Sequence, residues 1–320
     1  MISKGDKKLF LIDAYALIYR AYFAFSKNPR ITSKGFDTSA IYGFTNILLD
    51  LINTEKPLYL GVVFDTPKKT HRHLEYSEYK ANRDAMPEGI SLAIPYIKII
   101  LNAFQIPILS FDGFEADDVI GTLAKQAESQ GFQTYMMTPD KDFAQLVTEN
   151  IFIYRPGSRG NPNEIWDIHK VCDKFDINHV DQVIDFLGMV GDAVDNIPGI
   201  AGVGPKTASK LLKEYNSIEK IYDSIDCFDG KLKEKILTSR ENAFLSKKLA
   251  TITIDVPIKL ESSDLKVSEP NLPKLKEVCQ DLEFTRLYDR LHKKFSVKNT
   301  NRYNIDVSGQ MDMFNIDTDM

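Results

Sequence analysis

Short apolar runs with strand character end, one after another, in carboxylates. Leu9-Phe10-Leu11-Ile12 runs into Asp13, and Leu60-Gly61-Val62-Val63-Phe64 into Asp65. Tyr135-Met136-Met137-Thr138-Pro139 leads to Asp140 and Asp142. Further runs of this kind fall at Ile106–Leu109 and Ile151–Tyr154. Between them, Ser39–Asn53, Ile90–Phe104 and Ala116–Gln130 carry apolar residues at helical spacing, and Gly131 is placed as a C-cap. Strands alternating with helices predict an α/β fold, a mostly parallel central sheet flanked by helices. In such sheets ligands collect beyond the C-terminal ends of the strands, which is where Asp13, Asp65, Asp140 and Asp142 fall.

More acids join these. Glu115, Asp117 and Asp118 open a helix, where the helix dipole favours carboxylates, and Asp192 and Asp195 flank a turn before Asn196-Ile197-Pro198. Singly each has a plain explanation: a strand-ending Asp is most often a turn or cap residue, and an acidic first turn is ordinary. Asp140-Lys141-Asp142 is also a DxD pair of the sort phosphatases and sugar transferases use. Nine acids meeting in one place would repel one another, and divalent cations are the usual remedy because hard metals take oxygen ligands. In this order and at these strand ends, they predict a two-metal site for cleaving phosphodiesters. The net charge of −5 argues naively against nucleic acid, but acids offset by bound cations leave the remaining surface more basic than the total suggests.

With 320 residues, 43% of them hydrophobic, the chain can bury a sizeable core. Cys172, Cys227 and Cys279 are far apart, so neither a disulfide framework nor a zinc site is indicated. No apolar stretch has the length of a signal peptide or membrane span, and a cytoplasmic setting with no membrane partner is the expectation. Residues 66–88 are poor in aliphatics and read as a mobile insertion. Lys68, Lys69, Arg72, Lys80 and Arg83 outnumber Glu75 and Glu78 there, interleaved with His71, His73, Tyr76 and Tyr79. Cations among aromatics suit single-stranded nucleic acid, although a solvated loop needs no function; the two histidines are expected to be solvated. Tyr15, Tyr19 and Tyr22 recur at helical spacing and belong mostly to the core, yet Tyr19 and Arg20 lie close enough to Asp13 to reach the site.

The expected organisation is 1–180 as the α/β core with its insertion at 66–88, 181–295 as a helical region packed on it, and 296–320 as a disordered tail or linker. Helices are expected from about Asp181 to Val190, from Pro205 to Tyr215, and within 217–240 and 270–295. The loop Gly199-Ile-Ala-Gly202-Val-Gly204 lets backbone approach a phosphate, and the helix that follows offers free N–H groups. Lys206, Lys210 and Lys213 add positive charge, with no acid in 196–213. This suits backbone binding without sequence preference.

These motifs resemble one family. Leu-Ile-Asp13-Ala-Tyr-Ala-Leu-Ile-Tyr19-Arg20-Ala-Tyr, Val-Phe-Asp65, Glu-Tyr-Lys80-Ala-Asn-Arg83, Glu115-Ala-Asp-Asp118, Asp140-Lys-Asp142 and Gly191-Asp192-Ala-Val-Asp195-Asn-Ile-Pro-Gly are similar to the 5′-nuclease, flap endonuclease-like family. The likeness extends over about 8–293 and is strongest to the 5′→3′ exonuclease domains that begin bacterial DNA polymerase I.

The resemblance implies a monomeric, structure-specific nuclease acting on 5′ flaps, nicks and RNA primers in replication and repair. It implies two Mg²⁺ or Mn²⁺ ions. Asp13, Asp65, Glu115 and Asp117 would serve the first, with Asp118 beside them, and Asp140, Asp142, Asp192 and Asp195 the second. Lys80 and Arg83 would stand at the base of a helical arch, with Tyr19 stacking on the terminal base, Arg20 nearby, and Arg72 and Tyr79 contacting DNA. Residues 185–213 would form a helix–turn–helix hairpin gripping duplex through Gly202, Gly204, Lys206, Thr207 and Lys210, with a possible K⁺ on its carbonyls. The tail motif Gln310-Met311-Asp312-Met313-Phe314 resembles peptides that dock on sliding clamps. Two rivals remain at this point: a PIN-type ribonuclease, whose domains are shorter and lack the hairpin, and a catalytically silent junction-binding scaffold.

Overall fold

The run that ends in Asp13 is a strand, β1 (Lys8–Asp13), whose alternate residues enter different cores: Leu9 and Leu11 on one face, Phe10 and Ile12 on the other. Burial on both faces removes the polar alternation of a half-exposed strand, hence the continuous apolar run. The protein is described here by a computed structural model covering residues 7–157 and 161–296. After β1 come α1 (Ala14–Ala24), α2 (Ser39–Thr54), β2 (Tyr59–Val63), α3 (His71–Glu75) and α4 (Glu88–Ala103). Next are β3 (Ile108–Leu109), α5 (Ala116–Ser129), β4 (Gln133–Met137), β5 (Ile151–Arg155) and β6 (Glu164–Trp166). The sheet order is β3-β2-β1-β4-β5-β6, with parallel pairing throughout except between β5 and β6. Strand β3 is shorter than the apolar run suggests: Pro107 has no N–H to give, and joins only by accepting from Val62 N. The antiparallel β6, three residues long, had no pattern to announce it.

The rest of the chain is helical: α6 (Ile168–Phe175), α7 (Gln182–Val190), α8 (Pro205–Tyr215), α9 (Ile218–Asp223), α10 (Gly230–Thr238), α11 (Arg240–Ala250), α12 (Leu272–Asp281) and a last stretch, 285–296. Residues of α5, α7 and α8 share one core with Leu9 and Leu11, so the helical region is continuous with that face of the sheet. Helix α12 and Leu287 and Leu291 instead pack with α1, α2 and α4 on the opposite face. The expected helical unit 181–295 therefore divides, with its last part folded back across the sheet from the rest. The chain beyond 296, including Gln310–Phe314, lies outside the described residues. No helix among the described residues is long and apolar enough to cross a membrane.

Residues 66–88 depart most from expectation. They are ordered against the core through Arg72 and Tyr79, both buried, rather than projecting as a mobile insertion. His73 is not solvated either: its Nδ1 accepts from Thr70 N, capping α3, and its ring meets Tyr79 edge-on.

Candidate metal centre and nucleic-acid interface

The strand ends bring the acids to one edge of the sheet. Asp13 caps α1, accepting from Ala16 N at 3.2 Å, and its other oxygen accepts from the Thr138 hydroxyl at 3.0 Å. Thr138 Oγ1 also accepts from Asp140 N at 3.1 Å, tying the ends of β1 and β4 together. The sequence reading missed Thr138; its place just before Pro139 and Asp140 was the only sign available. Asp65 accepts from Ala116 N at 2.9 Å, joining the end of β2 to the first turn of α5. Asp142 N donates to Asp140 Oδ1 at 2.9 Å, and Asp192 Oδ1 closes its own turn by accepting from Val194 N at 2.7 Å.

Crowding shows in the electrostatics. Burial, with Asp65 and Asp140 near, pushes the Asp13 carboxyl up to about 7. Burial and Asp140, Asp192 and Asp195 push Asp142 up to about 7 as well. Burial likewise raises Asp65, and it raises Asp117 beside Asp118 and Glu115. Asp140 reaches solvent at the rim, yet the protein packed around it and the acids Asp195 and Asp192 hold it above the usual range. Asp142 Oδ1 is enclosed and accepts no hydrogen bond from the described residues. Among those residues no three acids stand close enough to hold one ion as they are arranged.

Four acids have cation partners, all from the 66–88 segment: Asp118, Glu115 and Asp195 in close pairs, and Asp117 at 3.9 Å from Arg72. Arg72 forks onto Asp118 with bonds of 2.8 and 2.7 Å, and donates to the carbonyls of Leu249 and Thr251 at 2.9 Å each. Asp118 also accepts from Thr253 N at 2.8 Å and Glu115 N at 3.1 Å, so both its oxygens are filled and it is fully buried. This corrects two expectations: Asp118 has no lone pair left for a metal, and Arg72, 2% exposed, cannot reach DNA. Burial opposes the Arg72 charge, but Asp117, Asp118 and Glu115 hold it protonated.

Lys80 Nζ lies 2.7 Å from Glu115 Oε2. Burial works to raise the Glu115 carboxyl, and Lys80 and Arg72 overcome it, holding the group below the usual range. Arg83 contacts Asp195 Oδ1 through Nε at 2.7 Å and Nη2 at 2.6 Å. Tyr79 is a further correction: 5% exposed, with its hydroxyl donating to Glu115, it supports the site and offers no face to a base. Arg20 points elsewhere, donating to the carbonyls of Pro156 and Gly157 at 2.6 and 2.8 Å. Tyr19 is half-buried against the core formed with α2 and α4.

The glycine-rich loop enters α8 as expected. Gly202 has φ +70°, a conformation that disfavours side chains, and Pro205 takes the first helical position after Gly204. No side chain caps the helix; Pro205 has no N–H and Thr207 N donates to Gly204 O at 3.0 Å, so its first turn leaves the Lys206 N–H available. Lys206 and Lys210 are exposed and pair with no carboxylate among the described residues, whereas Lys213 is held by Asp176. Thr207 is partly buried at the same helix start. Gly191 and Gly199, both at positive φ, bring their chains so close that a Cβ on Gly199 would lie 2.8 Å from Gly191 N and from Met189 O.

A mostly parallel sheet gathering acids at one edge, backed by a hairpin whose Lys206 and Lys210 meet no carboxylate among the described residues, defines the class: an α/β nuclease. Residues 8–176 match the family described as 5′-3′ exonuclease, N-terminal resolvase-like domain, and residues 178–273 match the 5′-3′ exonuclease, C-terminal SAM fold. The chain is 42% identical to a 5′-3′ exonuclease of Aquifex aeolicus over 90% of this chain and 96% of that one. It is 40% identical to DNA polymerase I of Caldicellulosiruptor bescii over 89% of this chain and 33% of the relative, and so spans about a third of that protein's length. A solved structure of the bacteriophage T5 flap endonuclease with DNA and metal ions has the same fold. It aligns with a TM-score of 0.62 at 20% identity, covering 90% of this chain and 98% of that one. The chain belongs to the 5′-3′ exonuclease family.

Proposed function

We propose that this chain hydrolyses DNA, and RNA primers, from 5′ ends and at 5′ flaps, leaving a 5′-phosphate and a 3′-hydroxyl, using two divalent cations held by the acids at the sheet edge. The observation that carries this is Asp142 Oδ1, an enclosed carboxylate oxygen without a donor, in a group of acids whose pKa values are raised by burial and by one another. Oxygen donors of this kind fit hard cations such as Mg²⁺ or Mn²⁺. Asp13, Asp65, Glu115 and Asp117 would hold one ion, and Asp140, Asp142, Asp192 and Asp195 the other. When bound, such a pair lowers the pKa of an attacking water and stabilises the leaving oxygen.

The chain's own groups do the remaining work. Lys80 and Arg83 stand beside these acids and would offset charge growing on the scissile phosphate. Tyr19 would meet the base at the 5′ end. The hairpin would hold duplex through the Lys206 N–H that opens α8 and through the Lys206 and Lys210 side chains, with backbone carbonyls of the same loop available to a K⁺ ion. Comparable binding of DNA and metal ions by the T5 flap endonuclease supports this reading. A sliding clamp as partner of Gln310–Phe314, and continuation into a polymerase as in the longer relatives, belong to the same proposal.

A labelled 5′-flap substrate with Mg²⁺, set against the same reaction in EDTA and with Asp142→Asn, tests it. Cleavage confined to the metal-containing wild-type reaction is expected. Turnover in EDTA would refute metal catalysis, and junction binding without cleavage under any divalent cation would leave a scaffold.

A further inference from the structure

Residues 76–83 cross from one group of acids to the other. At one end Tyr79 Oη and Lys80 Nζ contact Glu115 Oε2 at 3.2 and 2.7 Å. At the other, Arg83 grips Asp195 Oδ1, and Lys80 N donates to Asp195 O at 2.9 Å. Asn82 Nδ2 contacts Ala193 O and Asn196 Oδ1 at 3.3 and 3.1 Å, and Asn196 reaches back to Glu78 O at 2.8 Å. Lys80 holds a left-handed backbone, φ +60°, uncommon for a residue with a side chain, and its N–H is held by Asp195 O. The segment is a strap, fastened to the carboxylates that would ligate metal.

Resting on the metal-centre reading above, we propose that Lys80 and Arg83 are exchangeable counterions: metal entering at Glu115 and Asp195 displaces them, unfastens residues 76–83, and turns both cations outward to phosphate. Dications entering beside Glu115 Oε2 and Asp195 Oδ1 compete with the ammonium and guanidinium for the same carboxylates and repel both positive groups. Displacement removes both ion pairs and leaves the strap to the Lys80 N–Asp195 O bond and the Asn82 and Asn196 amide contacts alone. Arg72 stays behind, because its partner Asp118 is fully buried and its other acceptors are backbone carbonyls. The segment thus has a fixed root at Arg72 and a releasable end at Lys80–Arg83. Linkage makes the effect reciprocal: what metal does to the strap, the strap does to metal affinity.

The test uses the whole chain without DNA. Calorimetry with Mn²⁺ measures binding, and hydrogen exchange of peptides covering 76–84 is followed over the same titration. Exchange there should rise as Mn²⁺ binds, while peptides from β1 and β4 stay protected. The double variant Lys80→Met, Arg83→Met should bind Mn²⁺ roughly three- to tenfold more tightly, having no counterion to displace. Unchanged or slower exchange at 76–84 while calorimetry shows Mn²⁺ bound would overturn the exchange and leave the metal centre standing. Weaker binding by the double variant would overturn it too. No detectable Mn²⁺ binding by the wild type would refute the metal centre and this inference together.

Discussion

Asp117 and Asp118 are neighbours in the first turn of α5, yet replacing each with the isosteric Asn should move the protein in opposite directions. Asp118→Asn turns an amide –NH₂ toward Arg72, which is 2% exposed and loses its forked partner. Removing one member of a buried ion pair costs about 3–5 kcal/mol. Here Glu115 at 3.5 Å and Asp117 at 3.9 Å still face the guanidinium, which places the loss near the lower end of that range. With a urea m-value of about 3 kcal/mol/M, a loss of about 3 kcal/mol lowers the unfolding midpoint by about 1 M. Asp117 is the reverse case. Burial and the acids beside it raise its pKa, so its charge works against the metal-free fold. Asn keeps the oxygen that accepts from Asp118 N and removes the charge, so the midpoint should hold or rise. Urea unfolding in EDTA at pH 7 reads the stabilities, and Mn²⁺ calorimetry reads the site. Folded Asp118→Asn should still bind metal, and Asp117→Asn should lose it. Equal destabilisation by the two, or an unmoved midpoint in Asp118→Asn, would refute the division of roles.

The pH dependence of the metal-free protein follows from Asp13 and Asp142, each raised from an ordinary 3.8 to about 7. A raised folded pKa gives stability that is full below the unfolded value and lost as pH rises through the folded one. The wild type in EDTA should therefore lose stability between about pH 4 and 7 relative to Asp13→Asn, Asp142→Asn, and urea midpoints across that window check it. Replacing Lys206 and Lys210 together by Ala should reduce the slope of log K for duplex against log salt by about two, read by anisotropy in Ca²⁺. Gly199→Ala places a methyl 2.8 Å from backbone in a left-handed position, and should cost about 1–3 kcal/mol, read as a lowered unfolding midpoint.

What the sequence made legible was local. The strand Gln133–Met137 and the helix Pro205–Tyr215 begin and end where their apolar periodicity and flanking residues say. The acids were found because strand ends can be read and their order is consistent. Residues 66–88 could not be read, since their partners are remote: Arg72 bonds to Asp118, 46 residues away, and to Leu249, 177 away. A polar stretch without periodicity looks the same whether it is solvated or pinned by distant ion pairs. Helix α11 escaped for a related reason. Three of its four buried residues, Ala243, Ser246 and Ala250, are small, and with Leu249 alone they make no apolar stripe. They are small because α7 comes close: a Cβ on Gly188 would lie 2.8 Å from Lys247 Cα.

Net charge was the least informative quantity, and the reason lies in how the cations are distributed. Arg72 is consumed within the fold by Asp118, and Lys247 by Asp185 and Glu219. Lys80 and Arg83 are held by acids at the sheet edge, while Lys206 and Lys210 on α8 pair with no carboxylate among the described residues. A chain of charge −5 can therefore carry a positive hairpin and a negative edge at once. Phosphate is attracted to the first in any condition and repelled by the second until cations enter it. On the proposed division the hairpin would grip duplex without metal, and the 5′ end would be admitted only when the acids are neutralised. The grip and the cut then depend on separate sets of residues, and salt should weaken the first long before it empties the second, whose enclosed carboxylates are screened far less.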